Sequence, residues 1–224
     1  HNVFAHIDNL QLVFKNIFFL LKEDGYLCFE IGYFIKVMQN NLFDTIYHEH
    51  LDYHHAAPLI KLLKSIGFSI IEIKENKIQG GSLRILCKKE IKPKQYRNVN
   101  YFLKKEDFYL RLLRKKIRSW DDEITSNLKK MNTFINLKLK KGFTVAAYGA
   151  PTKATLLLKL SKLDSNKYIN YVAEDNHLKI GRYLPGTSIK IVNFRKLKTN
   201  KPDIIIILAW NFLSDITNKL VKNK

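Results

Sequence analysis

Four of the seven histidines, His48, His50, His54 and His55, fall within eight residues. They belong to the run Phe43-Asp44-Thr45-Ile46-Tyr47-His48-Glu49-His50 and its continuation through Tyr53. An imidazole beside a carboxylate is an ordinary way to place a proton acceptor near neutral pH. Tyr47 adds a phenol able to donate to a developing oxyanion. Two other readings stand beside acid–base chemistry. His48 and His50 share a face of an extended segment, and His54 or Glu49 could complete a metal site, although the spacing matches no standard zinc pattern. Alternatively, these polar residues satisfy one another on a loop.

A second group of residues suits an anion. Gly149 follows the apolar run 145–148, and Lys153 falls in the first turn of the next predicted helix. Backbone N–H groups, a helix dipole and a cation would then converge. The pattern is neither a full GxGxxG nor a P-loop, and an ordinary strand–helix turn reads the same way. Lys179 and Arg182 lie on a glycine-containing loop, where they are either solvated or free to make charge-assisted bonds to a diphosphate. Trp210 and Asn211 follow the apolar run 204–208, where ligands tend to sit in open α/β sheets, though Trp210 suits a core equally well.

The elements that must position these groups follow from periodicity. Leu10, Phe14, Ile17, Phe18 and Leu21 share one face of a helix over 9–22, which Glu23-Asp24-Gly25 stops. Residues 26–31 read as a buried strand, and 33–55 lack a clean period and read as a functional loop. A second helix over 56–66 turns Leu59, Leu62, Leu63 and Ile66 inward, with Gly67 as its C-cap. Residues 68–74, with Ile71 and Ile73 on one face, and the alternating Leu83, Ile85 and Cys87 predict an antiparallel hairpin about a turn at 75–77. The basic stretch 88–97, with Pro93, predicts a boundary, and 101–140 predicts one long helix or two, ended by Gly142. Strands at 145–148, 168–173, 189–192 and 204–208, with helices at 152–160 and 212–221, predict a parallel sheet.

The net charge is +19, from 39 basic and 20 acidic residues. The lysines spread over several elements, which reads as compositional drift, yet the field still favours an anionic substrate. Aromatics do not interleave with Lys and Arg in a recognisable RNA-binding motif, so no nucleic acid is expected. Cys28 and Cys87 are isolated and make neither a disulfide framework nor a zinc site, which fits a reducing, cytoplasmic setting. No apolar run approaches the ~20 residues of a spanning helix, and no membrane partner is expected. The chain opens on His1-Asn2-Val3-Phe4-Ala5-His6 without a cap or leader, which predicts a fragment starting inside a domain.

The stretch FDTIYHEHLDYH resembles the signature of S-adenosylmethionine-dependent sugar C-methyltransferases, which act at C3 of nucleotide-linked 4-keto-deoxysugars. Four further stretches agree in order: residues 2–7, Gly80-Gly81-Ser82-Leu83-Arg84, the run 147–153, and 179–187 together with 208–212. The resemblance implies an α/β fold in three parts. Residues 1–95 would be the C-terminal half of a class I (Rossmann-like) methyltransferase sheet, 96–141 a helical connector, and 142–224 a second, small Rossmann-like domain. It implies His50 as the base, Glu49 and Tyr47 beside it in orienting or oxyanion roles, and His6 approaching the same site. Tyr148, Lys153, Lys179, Arg182, Tyr183, Trp210 and Asn211 would bind the nucleotide-sugar. S-adenosylmethionine is the implied cofactor, with most of its binding residues upstream of His1. Zinc is expected only in an N-terminal module that would also precede His1, so no metal is expected here. Gln79 departs from the family, which often has His before the glycine pair. Two alternatives are a relative that methylates a different acidified carbon, and a non-catalytic remnant or nucleotide-sugar-binding module that transfers no methyl group.

Overall fold

A computed structural model describes residues 1–90, 92–94 and 96–222. The chain divides into two compact units, His1–Asp121 and a second beginning at Asp122.

In the first unit the Asn9 side chain accepts the N–H of Leu12 at 2.9 Å and starts α1 (Leu10–Leu20), whose apolar face packs on the core through Phe14. Then come β1 (Tyr26–Gly32), α2 (Phe34–Gln39), α3 (Ala56–Ile66), β2 (Phe68–Asn76) and β3 (Ser82–Lys89). The three strands form an antiparallel sheet in the order β1-β3-β2, so the second strand of the hairpin inserts between the other two. Leu59 and Leu63 are buried as expected, and Gly67 caps α3 with φ of 120°, which favours glycine.

Two local readings need correction. Residues 33–55 are not all loop, because α2 buries Ile35, Val37 and Met38. A six-residue helix is shorter than the window in which helical periodicity can be read. In β2 the register steps from Ile70 opposite Cys87 to Glu72 opposite Leu86, leaving Ile71 as the extra residue of a bulge. The bulge reverses the alternation, so Ile70 and Ile73 are the buried pair, rather than Ile71 and Ile73.

A single helix, α4 (Arg97–Lys140), follows, and the division between the units falls within it. Of the boundary expected over 88–97, residues 91 and 95 lie outside the described residues. Gly142, with φ of 81°, ends the helix.

The second unit contains β4 (Val145–Tyr148), α5 (Ala154–Leu160), β5 (Val172–Glu174), β6 (Ile191–Asn193), α6 (Lys196–Thr199), β7 (Ile204–Ile207) and α7 (Leu213–Lys222). All strand pairs are parallel, in the order β6-β5-β4-β7. This is the α/β class expected. β5 is shorter than the predicted 168–173, because Tyr168 and Ile169 turn back to hydrogen-bond the Ser165 carbonyl. β7 is half-buried, since it is an edge strand. α5 begins at Ala154, so Lys153 is its N-cap residue and not part of its first turn. Among the described residues, no helix is long and apolar enough to cross a membrane.

Candidate functional site

In the first unit, the short 3₁₀ turn Phe43–Thr45 presents the Thr45 carbonyl to the loop that follows. Nδ1 of His50 lies 2.8 Å from that carbonyl, and the Tyr53 hydroxyl donates to the same oxygen at 2.7 Å. A carbonyl only accepts, so the Nδ1 of His50 must carry the proton. In the neutral ring Nε2 then holds the lone pair. That nitrogen is 3.4 Å from the Tyr47 hydroxyl. The His6 ring stands 5.0 Å from the His50 ring, centroid to centroid, and its Nδ1 donates to the backbone carbonyl of Glu49 at 2.7 Å.

The carboxylate of Glu49 acts on Tyr47. Burial, reinforced by the charge and hydrogen bond of Glu49, pushes the Tyr47 phenol above its ordinary pKa, so it remains a donor. A cavity of about 60 Å³ borders His50, Thr45, Tyr53, Asp52, Gln79 and Gly81. Gly81 has φ of 133°, and a Cβ there would fall 2.5 Å from the Cβ of Lys36, so only glycine lets the start of β3 pass α2. His48 is exposed, and among the described residues no three His, Cys, Asp or Glu side chains converge as metal ligands.

The loop carrying His50 is held at its far end by Glu106 of α4, which is 1 % exposed. Its carboxylate accepts the N–H groups of Ala56 and Ala57 at 2.7 and 2.9 Å and Nδ1 of His55 at 3.1 Å. The Tyr33 hydroxyl is a fourth partner. Two of these donors are orphan amides of the first turn of α3, which a carboxylate satisfies especially well.

In the second unit, a cleft of about 390 Å³ opens at the C-terminal ends of β4, β5 and β7. The strand order reverses there, with β5 on one side of β4 and β7 on the other. Gly149, at φ of 84°, turns the chain out of β4, and a Cβ on it would lie 2.6 Å from the Cβ of Ala209. The Tyr148 hydroxyl donates to Asp175, which also receives the ammonium of Lys219. Burial works against the charge on Asp175, but the bonds from Lys219 and Tyr148 outweigh it and hold the carboxyl below its ordinary pKa. Glu174 accepts the Ala150 N–H at 2.8 Å, while Lys179 donates to the Ala150 carbonyl at 2.8 Å. Beside the cleft, Lys153 donates to Asn211 at 2.7 Å and sits 3.9 Å from the centroid of the Trp210 ring.

The family model described as "C-methyltransferase C-terminal domain" matches residues 77–223. The chain belongs to that family.

Over 214 residues it is 29 % identical to "C-methyltransferase NovU" of Streptomyces niveus, covering 95 % of this chain and 51 % of that protein. The chain thus spans about half the length of this curated relative. The matched family domain takes in β3, α4 and the whole parallel sheet, while the His50 loop precedes it.

Within this chain, Tyr47, His50 and His6 come together, and so do Lys153, Trp210 and Asn211. Tyr148 and Lys179 line the cleft of the second unit. Arg182 and Tyr183 lie on an exposed loop and do not line it. Several contributors escaped the sequence reading, Glu174, Lys219 and Tyr33 among them. The Thr45 carbonyl is a backbone group and leaves no residue signature. Glu106 did leave one, because it occupies an inward position of α4 in step with Leu103, Leu110 and Leu113. Asp175 directly follows the second parallel strand, whose last residue is Glu174, in the region where dinucleotide folds place an acid.

Proposed function

We propose that this chain carries the proton-abstracting and substrate-holding parts of an S-adenosylmethionine-dependent C-methyltransferase acting on a nucleotide-linked 4-keto-deoxysugar. On this reading residues 1–95 bear the acid–base loop, 96–141 form the connector, and 142–224 hold the nucleotide-sugar. Bound S-adenosylmethionine supplies the methyl group in such a reaction. The side chains gathered at His50 are acid–base groups, and the chemistry these residues carry is that of the proton.

The 4-keto group acidifies the C3–H bond. Nε2 of His50 takes the proton, and the electron pair moves onto the C4 oxygen. The Tyr47 phenol, kept protonated by its raised pKa, donates to that oxygen. Nδ1–H stays on the Thr45 carbonyl and steadies the imidazolium that forms. One observation carries this reading: the Thr45 contact turns the basic nitrogen of His50 toward the Tyr47 hydroxyl.

The test is deuterium exchange at C3 of a thymidine-diphospho-4-keto-6-deoxysugar in D₂O, followed by proton NMR with no cofactor present. The wild-type chain should catalyse it, and His50→Ala should lower the rate by about 10²–10⁴ with the fold intact. Absence of catalysed exchange in the wild type would leave the second reading, a nucleotide-sugar-binding module without methyl transfer. That reading is favoured by the cleft of the second unit being much larger than the cavity at His50, about 390 against 60 Å³.

A further inference from the structure

We propose that the cleft of the second unit seats the pentose of a nucleoside diphosphate, with Asp175 accepting from its 3′-hydroxyl and the diphosphate lying outside, against Lys153. This rests on the nucleotide-sugar reading above and divides the ligand between two places.

The cleft is a suitable receptacle. Its volume of about 390 Å³ lies in the usual range of small-molecule sites, and it occupies the switch point of a parallel sheet. Charge decides which part of the ligand enters. Three carboxylates line the cleft, Glu174, Asp175 and Asp215, against two ammonium groups, Lys179 and Lys219, a balance of −1 (2 − 3). In a chain whose net charge is +19, this is a poor place for a diphosphate. The Gly149 turn would ordinarily offer its amides to a phosphate. Here the Ala150 N–H is already accepted by Glu174, and a phosphate at that point would meet a carboxylate.

A neutral donor of hydrogen bonds suits the same groups. An ionised carboxylate has roughly four acceptor sites. Tyr148 and Lys219 each bind one oxygen of Asp175, fixing its orientation and leaving capacity for hydroxyl donors. The cation for the diphosphate is next door. Lys153 and Asn211, bonded to each other, follow or precede the lining residues Pro151 and Phe212 closely in the chain.

The experiment is titration calorimetry of the 224-residue chain with thymidine diphosphate, its 3′-deoxy analogue and inorganic pyrophosphate. The wild type should bind thymidine diphosphate about tenfold more tightly than its 3′-deoxy analogue. Asp175→Asn should erase that difference and leave pyrophosphate binding unchanged, while Lys153→Ala should weaken all three. Equal affinity of the wild type for the two nucleotides overturns the pentose seat, even if Asp175→Asn does not fold, and leaves the nucleotide-sugar reading standing. An Asp175→Asn chain that still discriminates overturns it too. No nucleotide binding by the wild type overturns that reading and this inference together.

Discussion

Nδ1 of His50 and the carbonyl of Thr45, five positions apart in the chain, stand 2.8 Å from each other, and this contact decides which ring nitrogen is basic. His50→Asn separates the two roles of the ring. The amide of Asn can reproduce donation to Thr45 but supplies no base. The variant should melt close to the wild type while C3 exchange falls by about 10²–10⁴. Nitrogen NMR of the wild type at pH 8 should show a protonated Nδ1 and an unprotonated Nε2. The opposite tautomer would remove Nε2 from the mechanism.

Glu106 is a buried, acceptor-only group on which four donors converge: Ala56 N, Ala57 N, His55 Nδ1 and the Tyr33 hydroxyl. A glutamine of the same shape has one acceptor oxygen and brings an NH₂ group against donors. Glu106→Gln should therefore cost about 3 kcal/mol, the combined effect of weakened charge-assisted bonds and stranded donors. Urea unfolding measures it. A loss below about 1 kcal/mol would show that water replaces these bonds and that Glu106 does not anchor the loop.

Much of the fold was legible because it rests on side-chain periodicity. Phe14 in α1, Leu59 and Leu63 in α3, and Leu83, Ile85 and Cys87 in β3 are buried where their spacing put them. The misreadings arose where backbone geometry overrides period, at the Ile71 bulge and in the short α2. In the site, side-chain types marked Tyr47 and His50, but the group that orients His50 is a main-chain carbonyl, which no residue type announces. Glu106 is 51 positions from His55, and only folding shows that the two meet. The cleft of the second unit was half legible. The glycine turn stood out, whereas the Tyr148–Asp175–Lys219 arrangement joins three separate elements.

His54 supplies a pH dependence. Burial holds its pKa below 6.5, outweighing the opposite pulls of Asp52 and of a hydrogen bond to the Phe4 backbone. The unfolded chain takes up this proton near pH 6.5, and the folded chain only at lower pH. Between those values the unfolded state binds more protons, so stability rises with pH. The contribution is complete above pH 6.5 and is lost as pH falls through the folded value. Melting curves from pH 8 to pH 5 should therefore decline, and His54→Gln should flatten the upper part of the decline. Parallel curves for the two proteins would assign the acid sensitivity to other groups.

Gly149 meets two separate demands, and a double-mutant cycle can tell them apart. Its φ of 84° is a left-handed conformation that costs an L-residue roughly 1–2 kcal/mol. Its missing side chain also leaves room for Ala209, whose Cβ would lie 2.6 Å from a new methyl group, an overlap costing about 1–3 kcal/mol. Gly149→Ala should therefore destabilise the chain by roughly 2–5 kcal/mol. Adding Ala209→Gly removes the clash and leaves the backbone strain. The pair should show a favourable coupling of about 1–3 kcal/mol, with the backbone strain persisting. Zero coupling would mean that the β4 turn does not approach the end of β7 as closely as the geometry shows, and the narrow floor of the cleft would have to be redrawn.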